Sequence, residues 1–489
     1  MKTLLILPPE ENRRLIPRLG IMYISSFLKS NGLDVSILDC KALDFSFRDK
    51  NSYKIINNSI WCPIDWSRLE REISKIKPDI VGISAMTNDI NNAHEVAKIV
   101  KRLNKKIPVI IGGVHATCMP KETLEEFPYF DILVRGEGEE IMAEIVETLE
   151  RGRQIKDING ILFRSNGQIL QTPVRSELKE LDKLPFPDYD GVPLEIYTQF
   201  IKKTNYLDNI DATGFYLSSR GCPYHCTFCA SIKVHGHKLR ERSVGNVIQE
   251  LKQYTKKYGT KMFWFWDDTL TVNKKRVLSL CEELIKEKLD LTISCYARVN
   301  TIDEELIRRM KQAGFRYIYY GIETGSEKVL KDIRKDITLS QAREAVKLSS
   351  KYGLYTTAGF MIGHPTDTKE SIEQTIKFAN DLIPLGLRLA AFWVAIPLPG
   401  TEMFEQVKNR LRTFNWPEYF YQDCNMPQAK PVFAPEGIGY TELIEYQRRA
   451  YREFRYEFVK NKILSFDILY ILGVLGRRIK RVWNNLFIS

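Results

Sequence analysis

Apolar-rich runs of three to five residues recur through the first third of the chain: Thr3–Leu7, Asp34–Leu38, Ile80–Ser84, Val109–Ile111 and Ile132–Val134. Runs of this length, with little polar alternation, predict strands buried on both faces. Between them apolar residues return every three or four positions, as in His94–Leu103 and Glu140–Leu149, which predicts amphipathic helices. Strands alternating with helices predict a doubly wound, Rossmann-like parallel sheet whose ligands sit beyond the carboxyl ends of its strands. The segments expected there are Pro8-Pro9, Ser84-Ala85-Met86-Thr87, Gly112-Gly113-Val114-His115 and Gly136-Glu137-Gly138-Glu139. Their glycines let a large ligand approach the backbone.

The pattern then changes. Gly160–Phe163 and Ile169–Thr172 flank Asn166-Gly167, a hairpin signal. Leu181–Leu194 holds three prolines and one glycine and reads as a linker. From about residue 214 the alternation resumes, with strands expected at Gly214–Ser218, Met262–Trp266, Thr292–Tyr296, Tyr317–Gly321, Thr356–Met361 and Leu389–Ala395. Helical patterns fill the gaps, among them Val244–Tyr258, Lys274–Lys286 and Glu304–Ala313. Six βα units predict a partial (β/α)6 barrel with its site at the carboxyl ends of the strands. A second doubly wound sheet is the alternative, because strand order is not visible in a sequence. The expected division is 1–155 for the first sheet, 156–200 for hairpin and linker, 201–405 for the barrel and 406–489 for a helical C-terminal region.

Composition narrows the picture modestly. The formal charge of +11 over 489 residues favours an anionic ligand, a membrane surface or a nucleic acid without choosing among them. No run of like charges with interleaved aromatics singles out nucleic acid, and no nucleic-acid partner is expected. Nine cysteines, an odd number and mostly scattered, suit a reducing compartment rather than a disulfide framework, so a cytoplasmic location is expected. The start, MKTLLILPP, reads as a first buried strand and not as a signal peptide. No stretch of 18 apolar residues predicts a spanning helix. The tail from Leu464 to Phe487 combines an apolar run with Arg477, Arg478, Lys480, Arg481 and Trp483. It can lie in a membrane interface or dock on the protein's own core.

The chemistry concentrates in Ser219-Arg-Gly-Cys222-Pro-Tyr-His-Cys226-Thr-Phe-Cys229-Ala230. Three cysteines spaced C-x3-C-x2-C follow an expected strand. Thiolates are the usual ligands of iron–sulfur clusters, and three of them leave one iron of a cubane open to a cosubstrate. A zinc site is the alternative, with His225, His235 or His237 as a fourth ligand.

This segment, with the aromatic Phe228 before the third cysteine, resembles the motif of the radical S-adenosylmethionine superfamily. The resemblance implies a [4Fe-4S] cluster on Cys222, Cys226 and Cys229. Its open iron would hold S-adenosylmethionine, whose reductive cleavage gives methionine and a 5′-deoxyadenosyl radical. FWFWDDTLT (Phe263–Thr271) resembles the family's second-strand segment, which implies that Asp267 or Asp268 receives the methionine amino group. CYARVN (Cys295–Asn300) resembles the third, with Arg298 toward the cosubstrate carboxylate. GIETGS (Gly321–Ser326) resembles the fourth, with Glu323 toward the ribose. AGFMIGHP (Ala358–Pro365) resembles the segment that lets adenine lie against backbone at Gly363, and IPLPGT (Ile396–Thr401) the end of the sixth strand. His364 reads as a loop histidine in a local hydrogen bond.

The order of parts resembles the cobalamin-binding subclass of that superfamily, the group of anaerobic magnesium-protoporphyrin cyclase-like proteins, hopanoid methylases and natural-product methylases. The resemblance rests on PRLGIMYISSFLKSNG (Pro17–Gly32), PDIVGISAMT (Pro78–Thr87), IGGVHAT (Ile111–Thr117) and VRGEGE (Val134–Glu139), and covers residues 1 to about 455. It implies cobalamin over the strand ends, its nucleotide tail in a pocket at Ser84, Gly112 and Gly113. Many cobalamin domains carry Asp-x-His-x-x-Gly after the first strand, whereas PPEENRRLIPRLG has no histidine. Cobalt is then bound without that ligand, or cobalamin binding has been lost; His115 is a further candidate ligand. The leading function is methylation of an unactivated carbon through methylcobalamin. The alternatives are radical-mediated ring or carbon–carbon bond formation on a lipid or tetrapyrrole-like substrate, and a radical enzyme without cobalamin. The implied partners are a small-molecule or lipid substrate and a flavodoxin or ferredoxin donor, with peripheral membrane contact through the tail.

Overall fold

The computed structural model describes all residues except 11, 14–15, 44–53, 57–58, 205–213, 420–429 and 465–489. The C-terminal tail singled out above therefore lies outside the described residues beyond Leu464. Two parallel sheets dominate. The first contains β1 (Lys2–Leu7), β2 (Asp34–Asp39), β3 (Ile80–Ser84), β4 (Val109–Gly112), β5 (Ile132–Val134), β6 (Ile161–Ser165) and β7 (Gln168–Gln171), in the order β7-β6-β5-β4-β3-β1-β2. The strands from β2 to β5 run parallel, while β6 and β7 are an antiparallel hairpin added at one edge. Its turn has positive φ at both Asn166 (50°) and Gly167 (79°), the reason an Asn-Gly pair closes it.

Alternate side chains of each strand enter opposite layers. Leu5 and Leu7 pack with Ile21, Met22, Ile141 and Ile145 from the helices Leu19–Ser30 and Glu139–Glu150. Leu4 and Ile6 pack with Ile73, Val96 and Val100 from Trp66–Ile76 and Ile90–Leu103. Burial on both faces is why these strands read as apolar runs. The order 2-1-3-4-5 reverses direction between β1 and β3, and ligands of such sheets bind at that switch point.

The second sheet is β8 (Gly214–Tyr216), β9 (Met262–Phe265), β10 (Thr292–Ala297), β11 (Phe315–Glu323), β12 (Tyr355–Ile362) and β13 (Leu387–Val394). All neighbours are parallel and the spatial order equals the chain order. Consecutive order is that of a partial barrel and removes the second doubly wound sheet as an alternative. The helix Tyr440–Leu464 covers the edge strand β13: Gln447 Nε2 donates to Phe392 O at 2.7 Å, and the Phe392 N–H donates to Tyr451 Oη at 3.0 Å. An open edge is thereby closed.

The proline-rich segment holds the two sheets together. The Asp188 N–H donates to Met22 O at 3.1 Å, and Tyr189 Oη to the buried Glu250 carboxylate at 2.7 Å. One apolar core runs through both units, from Leu5 to Phe392. No helix among the described residues is long and apolar enough to cross a membrane.

Candidate functional site

The cysteine loop leaves and re-enters the fold through a short antiparallel ribbon, Ser219–Arg220 with Arg240–Glu241. Gly221 follows with φ 88°, and a Cβ there would lie 2.4 Å from Lys238 O, so the turn into the loop requires glycine. Backbone bonds shape the rest. The Cys222 N–H donates to Gly236 O (3.3 Å), the Cys229 N–H to Cys226 O (3.1 Å) and the Thr227 N–H to Ile333 O (3.1 Å). Burial pushes the Cys222 thiol up and the Cys229 thiol up to about 12, which a bound cation would reverse.

The donor set fits an iron–sulfur cluster: three cysteines from one loop, buried or half-buried and free of disulfides. The neighbouring histidines are otherwise engaged. The rings of His225 and His237 stack on each other at 4.1 Å, and His235 Nδ1 is 3.3 Å from Glu137 Oε1. Among the described residues no three His, Cys, Asp or Glu side chains close on a single ion position.

The barrel strands deliver further groups to this loop. Arg298, after β10, is buried; its guanidinium lies 3.6 Å over the Tyr224 ring, with Nη1 3.6 Å from Cys226 Sγ. Its Nη2 donates to Lys335 O. Glu323 ends β11 with φ 72°, a left-handed conformation that a non-glycine residue adopts at a cost of about 1–2 kcal/mol. Its carboxylate accepts from the buried Lys335 ammonium at 2.7 Å, and that ammonium lies 5.8 Å from the Phe228 ring centroid. Asp267 is wholly buried and accepts from the Ser218 hydroxyl (2.8 Å), the Ser218 N–H (3.2 Å) and the Ser219 hydroxyl. Burial raises its pKa. The adjacent Asp268 accepts from Ser231 Oγ at 2.6 Å, and its charge acts on Cys222 and Cys229.

Gly363 follows β12 with φ 90°; its N–H donates to Asp367 Oδ2 at 2.8 Å, and a Cβ there would lie 2.8 Å from Leu443 Cδ2. The expectation of a local hydrogen bond for the His364 ring is corrected. The ring is fully buried, 5.8 Å from the Phe228 ring, and neither nitrogen has a hydrogen-bond partner among the described residues. Its backbone N–H is what Asp367 holds, at 2.9 Å.

Two adjoining cavities lie between the carboxyl ends of both sheets. The smaller, of about 260 Å³, enters the first sheet at the switch point. It is lined by Ser84, Gly112 and Gly113 from the strand ends, by Gly82 and Met142 deeper in, and by Arg220 and His235 from the cysteine loop's side. A Cβ on Gly112 would meet nothing nearer than 3.9 Å, whereas one on Gly113 (φ 99°) would strike Ala85 O at 2.4 Å. The larger, of about 560 Å³, has Phe228 and Cys229 on one wall, Met361 and Trp393 from the barrel, and Met86 and Val114 from the first sheet. Most of its wall is apolar, with Glu10 and Lys41, paired at 2.7 Å, as its charged end. Met86, Val114, Val234 and His235 border both cavities.

His115 is buried and is not among the residues that line these two cavities. Its Nδ1 is 3.4 Å from Thr87 Oγ1, its ring meets Trp416 edge-on at 5.0 Å, and burial pulls its pKa down to about 4. The first-strand exit carries a buried ionic group instead of a histidine: Arg18 binds Asp89 and, at 2.9 Å, Glu10. Burial raises the Asp89 pKa to about 6.

Lys335 was not expected from the sequence, nor were the partners of Glu137. Glu137 accepts from Arg220 Nη1 (3.1 Å) and Arg240 Nη1 (2.7 Å); against the cost of burial, the His235 contact and these cations hold its carboxyl well below the usual range. Lys335 lies in no motif, while Glu137 lies in the Gly136-Glu137-Gly138-Glu139 segment expected at the strand ends, and only its arginine partners were not legible.

Comparison with known proteins agrees with both halves. Residues 216–379 match the model of the radical SAM superfamily, and residues 13–146 that of the B12 binding domain. An uncharacterized methyltransferase of Pyrococcus horikoshii is 36% identical over 98% of this chain and 97% of its own. The anaerobic magnesium-protoporphyrin IX monomethyl ester cyclase of Rubrivivax gelatinosus is 28% identical over 96% of this chain and 80% of its own. The fold is similar to that of the radical S-adenosylmethionine methyltransferase TsrM from Kitasatospora setae, solved with cobalamin and a [4Fe-4S] cluster bound. That likeness has a TM-score of 0.68 and 18% identity, and covers 92% of this chain and 85% of that one.

Proposed function

This chain belongs to the radical S-adenosylmethionine superfamily, in the group with an amino-terminal B12 binding domain, and we propose that it methylates an unactivated carbon of an apolar small molecule or lipid. The observation that carries this reading is the larger cavity, which joins the cysteine loop to the strand ends of the first sheet and is apolar over most of its wall. When bound, the cluster supplies an electron, S-adenosylmethionine a 5′-deoxyadenosyl radical and cobalamin a transferable methyl group.

The protein's own part is to hold and orient. Cys222, Cys226 and Cys229 would ligate the cluster, with Phe228 beside them. Arg298 would pair with the cosubstrate carboxylate. Asp268, turned toward the cysteines, would receive the amino group, while Asp267 locks Ser218 and Ser219 at the root of the loop. Glu323, held by Lys335, would accept from the ribose, and Gly363 would lie under the adenine. Ser84, Gly112 and Gly113 would line the pocket for the cobalamin tail, and the apolar walls around Trp393 and Met361 would exclude water from the substrate carbon. The electron donor would be a flavodoxin or ferredoxin. Peripheral membrane contact through the basic C-terminal tail rests on the sequence pattern alone.

Anaerobic incubation with S-adenosylmethionine and a strong reductant tests the reading. The wild type should release 5′-deoxyadenosine and methionine, and Cys226→Ala should release neither. Equal release by both would reject the assignment. With a substrate in hand, product mass separates methylation, which adds one methylene, from cyclisation, which removes hydrogen.

A further inference from the structure

We propose that Glu137 is a positioning residue that ties the cluster loop to the cobalamin pocket, so that each cofactor site steadies the other. The inference rests on the reading of both sites given above and adds a coupling between them.

Glu137 belongs to the Gly136-Glu137-Gly138-Glu139 turn, which forms one wall of the smaller cavity. Its carboxylate gathers groups from both ends of the cysteine loop. Arg220, two residues before Cys222, donates to Oε1 at 3.1 Å; Arg240, which pairs with Arg220 in the ribbon, donates to Oε2 at 2.7 Å. His235 Nδ1, at the end of the helix that follows Cys229, is 3.3 Å from Oε1. Arg220 also reaches Glu139 of the same turn at 2.6 Å. The side chains of Arg220 and Arg240 are 4% exposed and that of Glu137 6%, so these charges depend on one another rather than on water.

Arg220 and His235 also line the smaller cavity. A ligand there touches the turn that holds the loop and the residues by which the loop is held. Ordering one side lowers the cost of ordering the other, and such coupling is reciprocal. Glu137 reaches the cysteine loop through Arg220, Arg240 and His235.

The test uses the full chain with its cluster reconstituted anaerobically, as wild type, Glu137→Gln and His235→Gln, each with and without hydroxocobalamin. Bound cobalt is measured after gel filtration, and iron release to a ferrous chelator is followed by absorbance. In the wild type, bound hydroxocobalamin should slow iron release at least about fivefold, the lower end of ordinary coupling. In both variants the cluster should form; because Glu137 and His235 line the cavity, hydroxocobalamin is raised until bound cobalt matches the wild type, and at that occupancy the protection should shrink toward none. His235 is half-exposed, so His235→Gln serves should Glu137→Gln fail to fold. Equal iron release with and without bound cobalamin in the wild type would overturn the coupling. Full protection in both variants would overturn the role of Glu137. A wild type that retains no cobalt would overturn the cobalamin reading itself, and this inference with it.

Discussion

Arg298 Nη1 lies 3.6 Å from Cys226 Sγ, inside the loop proposed to carry the cluster. The same guanidinium covers the Tyr224 ring and donates to Lys335 O, so its place is fixed from three sides. Hydrogen bonds to charged groups contribute about 1.5–3 kcal/mol. Arg298→Met should therefore weaken S-adenosylmethionine binding about 10- to 100-fold, with cluster iron close to wild type. Equilibrium dialysis on the reconstituted proteins reads this, and unchanged affinity would remove Arg298 from the cosubstrate site.

Lys335 and Glu323 are a buried pair, 8% and 10% exposed at their side chains and 2.7 Å apart. Lys335→Met leaves the Glu323 carboxylate buried without its partner and should cost about 3–5 kcal/mol. Adding Glu323→Gln should recover most of that stability, while S-adenosylmethionine cleavage stays lost. Denaturant unfolding of the three variants measures the first effect and 5′-deoxyadenosine release the second. If the double variant is no more stable than Lys335→Met, the pair is not what holds this strand end.

Gly112 offers a way to fill the smaller cavity without straining the fold, because a Cβ there meets nothing nearer than 3.9 Å. Gly112→Val should leave the melting temperature within a few degrees of wild type and lower hydroxocobalamin retention at least about tenfold, a difference of about 1.4 kcal/mol. Full retention would place the cobalamin tail elsewhere.

Acid should destabilise the protein through His115. Its pKa is about 4 in the fold against 6.5 when unperturbed, because burial opposes its charge. Between these values the unfolded chain binds more protons than the native one, so stability falls as pH falls from about 6.5 to about 4, by about 1.4 kcal/mol per unit at most. His115→Asn should flatten this part of the curve of unfolding free energy against pH. Parallel curves would show that other groups govern it.

Much of the fold is readable because period and punctuation agree. Val244–Tyr258 starts at Ser243, whose side chain caps Asn246 N–H, and stops at Gly259 with φ 68°. Lys274–Lys286 starts at Asn273, which caps Arg276 N–H. The strands of the first sheet are apolar on both faces and stand out for that reason. The cysteine loop stood out by its C-x3-C-x2-C spacing, which left zinc open, and the cluster reading came with the resemblance. The pairings of Lys335 and Glu137 were not legible: Lys335 meets Glu323 across 12 positions, and Glu137, though its glycine-rich segment stood out, meets Arg220 and Arg240 across 83 and 103. A lone charge has no period, and its partner is fixed only by tertiary packing. Asp267 and Asp268 differ only in which way the chain turns after β9, and that turn decides which carboxylate is buried against Ser218 and Ser219 and which meets Ser231, two residues after Cys229.

The most direct test is a metal count. Wild type and the Cys222→Ala/Cys226→Ala/Cys229→Ala variant are reconstituted anaerobically with iron, sulfide and hydroxocobalamin, and iron and cobalt are quantified in parallel. The expected result is about four irons in the wild type and none in the variant, with about one cobalt in both. Iron retained by the variant, or cobalt absent from the wild type, would contradict a cobalamin-dependent radical enzyme built on these three cysteines.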